Sequence, residues 1–293
     1  MRILITGAGS FVGANFRKYS KFENIDEVSL LDFDPVDIHF ENYDVVLHLA
    51  AIVHQSHKIE EEEYFKVNRD LCLEVASQAK KSGISQFVFL STLKVYGGFV
   101  NSTELRNEDS ECFPEDAYGK SKYAAEQELR KLEDDNFTVS IIRTPLVYGE
   151  GVKANMIYLV KLVERFPLLP FGKIDNRRNF TFAENLVGFI DRIIEKNASG
   201  VFITMDNSAH STTELVTFIS KALGKNMILF KLPGLFLKLG YFFASEKLDR
   251  LFGSMEFENI RTRQELDFNP PFLTEEGIKR MVDFYLLNKK QKG

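Results

Sequence analysis

Tryptophan is absent from this chain of 293 residues, and cysteine is nearly so. The two cysteines, Cys72 and Cys112, lie far apart and do not form the spaced framework of a small disulfide-stabilised domain. We expect both to be free thiols in a reducing cytoplasm. No functional explanation for the missing tryptophan, beside 27 phenylalanines, follows from the sequence.

The chain also lacks an excess of positive charge and a long uninterrupted apolar run. Its formal net charge of −5 gives no sign of nucleic-acid binding or of attraction to an anionic membrane. Lysines, glycines and a proline interrupt the most apolar window, residues 227–244, so no membrane span is predicted. An amphipathic packing element is expected there, and a segment lying on a membrane is the alternative. The first apolar stretch, residues 3–5, runs straight into Thr6 and Gly7, so no signal peptide is predicted.

A short apolar strand, a glycine turn and a helical pattern open the chain. Residues 1–6 are typical of a buried parallel strand, and a helix is predicted over residues 14–22. Between them lies a loop of residues 7–13 with three glycines, in which the candidate cofactor residues are Gly7, Gly9, Ser10, Phe11, Val12 and Gly13. Glycine lets the backbone approach a pyrophosphate, and a helix N-terminus offers it free N–H groups. This order predicts a dinucleotide site; a merely structural turn is the alternative.

Strands and helices alternate through the first half of the chain, which predicts an α/β fold with a doubly wound parallel sheet of the Rossmann type. Strands are predicted at residues 1–6, 27–32, 44–51, 86–91, 137–143 and 200–205. Helices are predicted at residues 14–22, 60–81, 118–134, 155–166 and 184–197. After residue 151 helical segments dominate. We therefore expect a dinucleotide-binding domain of residues 1–150 with about 180–205, and a smaller helix-rich substrate lobe of about 151–179 and 206–293.

Asp32 ends the predicted second strand, about twenty residues beyond the glycines. An acid at that place binds a ribose diol and disfavours a 2′-phosphate. No arginine or lysine follows nearby, so NAD is predicted rather than NADP. A strand-end turn residue without a ligand is the alternative for Asp32.

Tyr118 and Lys122 lie four residues apart at the start of a predicted helix and therefore share one helical face. An ammonium beside a phenol favours the phenolate, so Lys122 is predicted to lower the pKa of Tyr118 and make it a general base. Surface helices carry the same pattern, so a solvated face is the alternative. The hydroxyls of Ser91 and Thr92 end another predicted strand and should face the same crevice. His54 and His57 lack the further ligands of a metal site, so no metal is predicted.

These segments together resemble the extended short-chain dehydrogenases/reductases of the NAD-dependent epimerase/dehydratase family. The similarity covers essentially the whole chain and rests on motifs that occur in the family's order: residues 6–13, 48–51, 90–92 with 95–97, 118–122 with 125–126, 143–149 and 265–270.

The resemblance implies a role for each matching residue. The glycine-loop residues would bind the pyrophosphate, Asp32 the adenosine ribose, and Asp37 with Ile38 would flank adenine. Further cofactor contacts are implied for Leu49, Ala50, Ala51, Asn68, Ser91 and Pro145. Thr92 would bond the reacting sugar oxygen, Tyr118 would be the acid/base, and Lys122 would bind the nicotinamide ribose. Asn155, and Arg177 or Arg178, would bind the diphosphate of a nucleotide sugar, which planar arginine forks suit.

The implied activity is hydride transfer at C4 of a UDP-hexose, by a 4-epimerase or a 4-keto reductase in surface-polysaccharide synthesis. A 4,6-dehydratase is disfavoured because Leu93 and Lys94 stand where dehydratases carry Asp-Glu. A non-catalytic NAD(P)-binding regulator would be expected to lose Tyr118 or Lys122. Gly9-Ser10 departs from the usual loop pattern, and the short stretch before residue 44 indicates a missing strand or helix. Residues 60–82 and 118–134 are expected to form a homodimer interface.

Overall fold

The computed structural model describes residues 1–53, 59–98, 105–153, 155–232, 248–249 and 251–292. Its strands are β1 (Ile3–Thr6), β2 (Ile25–Val28), β3 (Val45–His48), β4 (Gln86–Thr92), β5 (Thr138–Thr144), β6 (Leu146–Tyr148), β7 (Leu168–Leu169), β8 (Phe180–Phe182), β9 (Gly200–Ile203) and β10 (Ile228–Leu229). Its helices are α1 (Phe11–Tyr19), α2 (Glu61–Phe65), α3 (Cys72–Lys81), α4 (Ala117–Arg130), α5 (Asn155–Arg165), α6 (Ala183–Glu195), α7 (Thr212–Ala222), α8 (Ile260–Leu266) and α9 (Thr274–Lys292). Short 3₁₀ helices cover Pro35–Asp37, Phe40–Asn42 and Leu93–Tyr96.

Six parallel strands form the central sheet in the order β2-β1-β3-β4-β5-β9. The inner strands β1 and β3 are fully buried because helices cover both faces of the sheet, whereas the edge strand β2 is partly exposed. One face buries Phe16 of α1 and Phe189 of α6; the other buries Val75 of α3 and Leu129 of α4. The predicted Rossmann-type doubly wound sheet is confirmed, and all six strands end at one edge.

Two predicted elements near the N-terminus have wrong limits. The strand predicted over residues 27–32 is β2, which ends at Val28, because the amides of Gly7 and Ala8 both donate to the Val28 carbonyl and a turn begins at Ser29. The helix predicted over 14–22 begins at Phe11, because Ser10 caps it. In the described part of the chain no strand pairs with the outer edge of β2, as the short stretch before residue 44 indicated.

A third apolar core lies beside the sheet and unites α5, α7 and α9 with β6 and β8. Tyr148, Phe182 and Ile278 are buried in it. Leu266 of α8, from the predicted lobe, packs instead in the core under the sheet with Phe189. The division into two domains therefore stays a prediction, with α8 placed on the dinucleotide-binding side.

Asp206 joins these parts as a fully buried acceptor. Its carboxylate accepts hydrogen bonds from the Phe182 amide at 2.9 Å, the Asn185 side chain at 2.7 Å and the Tyr148 hydroxyl at 2.7 Å. Thr274, at the start of α9, donates to it at 3.2 Å. Burial raises the pKa of Asp206, and these donors oppose the rise.

Asp206→Ala is expected to lower the free energy of unfolding by about 2–4 kcal/mol, because several buried donors lose their acceptor at once. Urea unfolding measures the loss. Asp283→Ala, on an exposed position of α9, is the control and should leave the midpoint unchanged. Equal midpoints for the two variants would contradict the role given to Asp206.

Candidate active site

A cavity of about 1270 Å³ opens at the carboxyl edge of the sheet, between the sheet and helices α5 and α7. Ser10, Phe11 and Val12 line one end, and Asn155 and Arg178 line the other. The cavity therefore joins the glycine loop to the smaller lobe, as the edge of a doubly wound sheet allows.

The glycine loop forms despite its unusual sequence. Gly7 has φ +105°, and a Cβ there would lie 2.6 Å from the Ala50 amide nitrogen, so a larger residue would push β1 and β3 apart. Ser10, in the place of the usual glycine, caps α1 by accepting a hydrogen bond from the Gly13 amide at 3.2 Å. The free N-terminal amides of α1 meet the cavity, so the loop suits a pyrophosphate.

Thr92 and Tyr118 come together between the two ends of the cavity. Thr92 ends β4, and its side chain accepts a hydrogen bond from the Lys94 amide at 3.2 Å. Tyr118 lies in the first turn of α4, and its hydroxyl is hydrogen-bonded to Thr92. A carbinol placed between the two hydroxyls could exchange a proton with the phenol.

The pKa of Tyr118 is raised, chiefly by burial and then by the Asp116 carboxylate, while the Thr92 hydrogen bond lowers it. The predicted lowering by Lys122 is therefore wrong in this structure. The Lys122 ammonium donates to the Leu90 carbonyl at 2.8 Å and lies 4.4 Å from the Phe89 ring centroid, so it points at β4. Burial lowers the pKa of Lys122 to about 8. Tyr118 is thus a proton donor in its resting form.

A buried ion pair supports the end of β4 from behind. Arg143 of β5 donates to Glu126 of α4, with Nη2 2.6 Å from Oε2, and both side chains are almost fully buried. The Ser91 hydroxyl donates to the same carboxylate. Ser91 lines the cavity and is adjacent to Thr92, so this pair fixes the strand end that carries the reacting hydroxyl.

Asn68 lies in a π-helical turn, Lys66–Leu71, that separates α2 from α3. Its side chain accepts from the Ile52 amide at 2.8 Å and donates to Ser121 at 3.0 Å. Such turns often occur at functional sites. Asn68 does not line the cavity; it ties the loop after β3 to α4, and its predicted cofactor contact stays a prediction.

The structure brings most of the other predicted cofactor residues to the cavity. Those that line it are Ser10, Phe11, Val12, Leu49, Ala51, Ser91, Tyr118, Lys122 and Pro145. Gly7, Gly9, Gly13 and Ala50 shape the loop beneath it without lining it. The described residues therefore fit a dinucleotide whose pyrophosphate lies at α1.

Asp32, Asp37 and Ile38 stand apart from this cavity. Asp32 is exposed in the turn after β2, where its amide donates to the Ser29 carbonyl, rather than at a strand end. Ser29 occupies the position directly after the strand. Asp37 is exposed, and Ile38 packs partly against the core under α3. Their adenosine contacts stay predictions.

Of the two candidate arginines, Arg178 lines the cavity and Arg177 does not. Arg177 turns outward and pairs with Glu214 at 3.9 Å and Glu256 at 3.6 Å. The sequence did not reveal how this loop is fixed. The buried Asn176 donates to the Gly253 carbonyl at 2.9 Å and accepts from the Thr212 amide at 2.9 Å.

Among the described residues no group of three or more His, Cys, Asp or Glu side chains could hold a metal ion. His54 and His57 lie outside the described residues. None of the described helices is both long and apolar enough to cross a bilayer.

Comparison with known proteins gives consistent matches. The model of the NAD dependent epimerase/dehydratase family matches residues 3–203. The chain is 34% identical to a UDP-glucose 4-epimerase of Vibrio cholerae, over 97% of this chain and 95% of the relative. It is 23% identical to the N-acetyl-alpha-D-glucosaminyl-diphospho-ditrans,octacis-undecaprenol 4-epimerase of Escherichia coli O157:H7, over 99% of this chain and 96% of that one.

Solved structures share the fold. The UDP-glucuronic acid 4-epimerase from Bacillus cereus, in complex with NAD, superimposes with a TM-score of 0.76 at 19% identity and covers 98% of this chain and 99% of its own. At that identity the likeness concerns the fold alone.

Proposed function

The chain belongs to the NAD-dependent epimerase/dehydratase family, and on that premise we propose that it is a UDP-hexose 4-epimerase in which Tyr118 is the acid/base. It is an NAD-dependent sugar-nucleotide enzyme, and its relative from Vibrio cholerae is a UDP-glucose 4-epimerase. The observation that carries the proposal is that Thr92 and Tyr118 line the same cavity as the glycine loop and Arg178. A nucleotide sugar bound by its diphosphate at Arg178 would reach both hydroxyls with its hexose.

Each residue has a defined task in this proposal. Bound NAD supplies the acceptor and donor of hydride. In its ionised form Tyr118 takes the proton from the C4 hydroxyl and later returns it, and Thr92 orients the same oxygen. The Lys122 ammonium, which in this structure contacts the Leu90 carbonyl, would bind the nicotinamide ribose once NAD is bound. Dehydration is disfavoured, because Leu93 has no ionisable group and the Lys94 ammonium is paired with Asp116, so the Asp-Glu pair of dehydratases has no counterpart here.

Incubating the purified protein with a panel of UDP-sugars and UDP-4-keto sugars, with and without NADH or NADPH, tests the proposal. Epimerisation without added reductant is the expected result. Stoichiometric oxidation of reductant on a 4-keto sugar would make the enzyme a 4-keto reductase. No reaction with any member of the panel would contradict the proposal.

Arg178→Met is expected to raise KM for the nucleotide sugar by about 10- to 100-fold, because a charge-assisted bond to the diphosphate is lost. Arg177→Met is the matched control, since its side chain turns outward to Glu214 and Glu256. Steady-state kinetics of both variants measure the difference. Equal KM values would show that Arg178 does not bind the substrate.

A cytoplasmic homodimer in surface-polysaccharide synthesis stays a prediction. Helices α3 and α4 pack side by side on one face of the sheet, in the segments expected at the interface. A monomer mass in light scattering would contradict the dimer.

A further inference from the structure

Lys94 and Asp116 form an ion pair at the mouth of the cavity. Lys94 lies in the 3₁₀ helix after β4, and Asp116 is the N-cap of α4. Both side chains are 34% exposed. A Cβ at Gly119 would lie 2.9 Å from the Lys94 carbonyl oxygen, so only glycine lets the two segments pack this closely.

The Asp116 carboxylate is fixed from two sides. Its Oδ1 accepts a hydrogen bond at 2.7 Å from the amide of Gly119, which directly follows Tyr118, and its Oδ2 contacts the Lys94 ammonium. A carboxylate held at the first turn of α4 places a negative charge beside the Tyr118 phenol. After burial, this charge is the largest contribution that raises the pKa of Tyr118.

We propose that Lys94 is a positioning residue for Tyr118. Lys94 holds the Asp116 carboxylate at the cavity mouth and offsets the negative charge of that carboxylate. The inference rests on the proposed acid/base role of Tyr118. A carboxylate near a phenol raises the pKa of the phenol, because it disfavours the negatively charged phenolate. An ammonium paired with that carboxylate offsets the negative charge and so lowers the pKa again.

The other groups that surround the Tyr118 phenol in the described residues do not neutralise the Asp116 carboxylate. Thr92 is hydrogen-bonded to it, and Tyr64 of α2 meets its ring edge-on, with 6.5 Å between centroids. Lys122, one helical turn on, directs its ammonium to the Leu90 carbonyl. Among the charged groups that the described residues place near Tyr118, the pair at the cavity mouth is one whose balance a single substitution can shift.

The test is a titration of the Tyr118 phenol by NMR in the NAD-bound protein, with tyrosines labelled with ¹³C at Cζ. The Tyr118→Phe variant assigns the resonance. Lys94→Met should move the titration midpoint upward, and Asp116→Asn should move it downward, each by about 0.5 to 1 pH unit. Asparagine keeps the N-cap, so α4 remains intact. In the Asp116→Asn background, Lys94→Met should shift the midpoint by less.

Lys120→Met is the matched control. Lys120 is next but one to Tyr118 and pairs outward with Glu61 at 3.8 Å, so its loss should leave the midpoint unchanged. The inference is overturned if Lys94→Met leaves the midpoint in place or lowers it. It is also overturned if the shift is as large in the Asp116→Asn background, since Lys94 would then act without Asp116.

The same variants separate this inference from the proposed function. The acid limb of the pH profile of kcat should move with the NMR midpoint. If no UDP-sugar is turned over while the NMR midpoints shift as expected, the inference stands and the proposed function fails. If UDP-sugars are turned over while the NMR midpoints stay unshifted, the proposed function stands and the inference fails.

Discussion

Tyr118→Phe should lower kcat by roughly 10²- to 10⁴-fold, the range that a positioned acid/base contributes. The phenyl ring keeps its packing against Tyr64, and the hydroxyl bonded to Thr92 is lost. The variant should therefore fold normally and bind NADH with unchanged affinity. Steady-state kinetics and a fluorescence titration with NADH measure the two quantities.

Tyr123→Phe is the control for this change. Tyr123 lies on the same helix but packs away from the cavity, in the cluster around Leu93 and Phe257. Its hydroxyl should be dispensable for turnover. If Tyr118→Phe is as active as Tyr123→Phe, the proton is exchanged by another group.

Arg143→Met should lower the free energy of unfolding by about 3–5 kcal/mol, because the carboxylate of Glu126 then stays buried without its cation. Turnover should fall as well, since Ser91 shares that carboxylate and fixes the end of β4. Thermal unfolding and kinetics report the two effects. The double variant Glu126→Leu/Arg143→Met should recover much of the stability, because no unpaired charge remains.

Lys131→Met offers the comparison at the surface. Its partner Glu128 lies 2.6 Å away, and both side chains are well exposed. Exposed pairs contribute about 0–1 kcal/mol, so unfolding should change little. A similar cost for Arg143→Met and Lys131→Met would mean that burial of the Glu126 pair has no energetic consequence.

The parts of the fold that the sequence predicted well depend on local patterns. An apolar strand and a glycine turn are each marked by a few consecutive residues. The sequence therefore predicted β1, the loop at Gly7 and the α/β alternation. The spacing of Tyr118 and Lys122 likewise placed both side chains at one cavity. The limits of strands were harder to predict, because they depend on contacts between distant residues. The end of β2, for example, is set by the amides of Gly7 and Ala8, which donate to the Val28 carbonyl.

Side-chain direction was the information that the sequence lacked. The spacing placed Lys122 near Tyr118, but whether its ammonium reaches the phenol or the Leu90 carbonyl depends on packing against Phe89. Arg177 and Arg178 are adjacent, and only the folded loop shows which one meets the cavity. The Lys94–Asp116 and Glu126–Arg143 pairs each join two segments that are distant in sequence, so the periodicity of the sequence does not predict them.

The most direct test of direct hydride transfer at C4 is a proton NMR spectrum of the nucleotide sugar after incubation with the NAD-bound enzyme in D₂O. If hydride leaves and returns through the cofactor while Tyr118 handles only the hydroxyl proton, C4 is inverted and keeps its original hydrogen. Deuterium at C4 of the inverted sugar would contradict this account, because the carbon-bound hydrogen would then have exchanged with solvent.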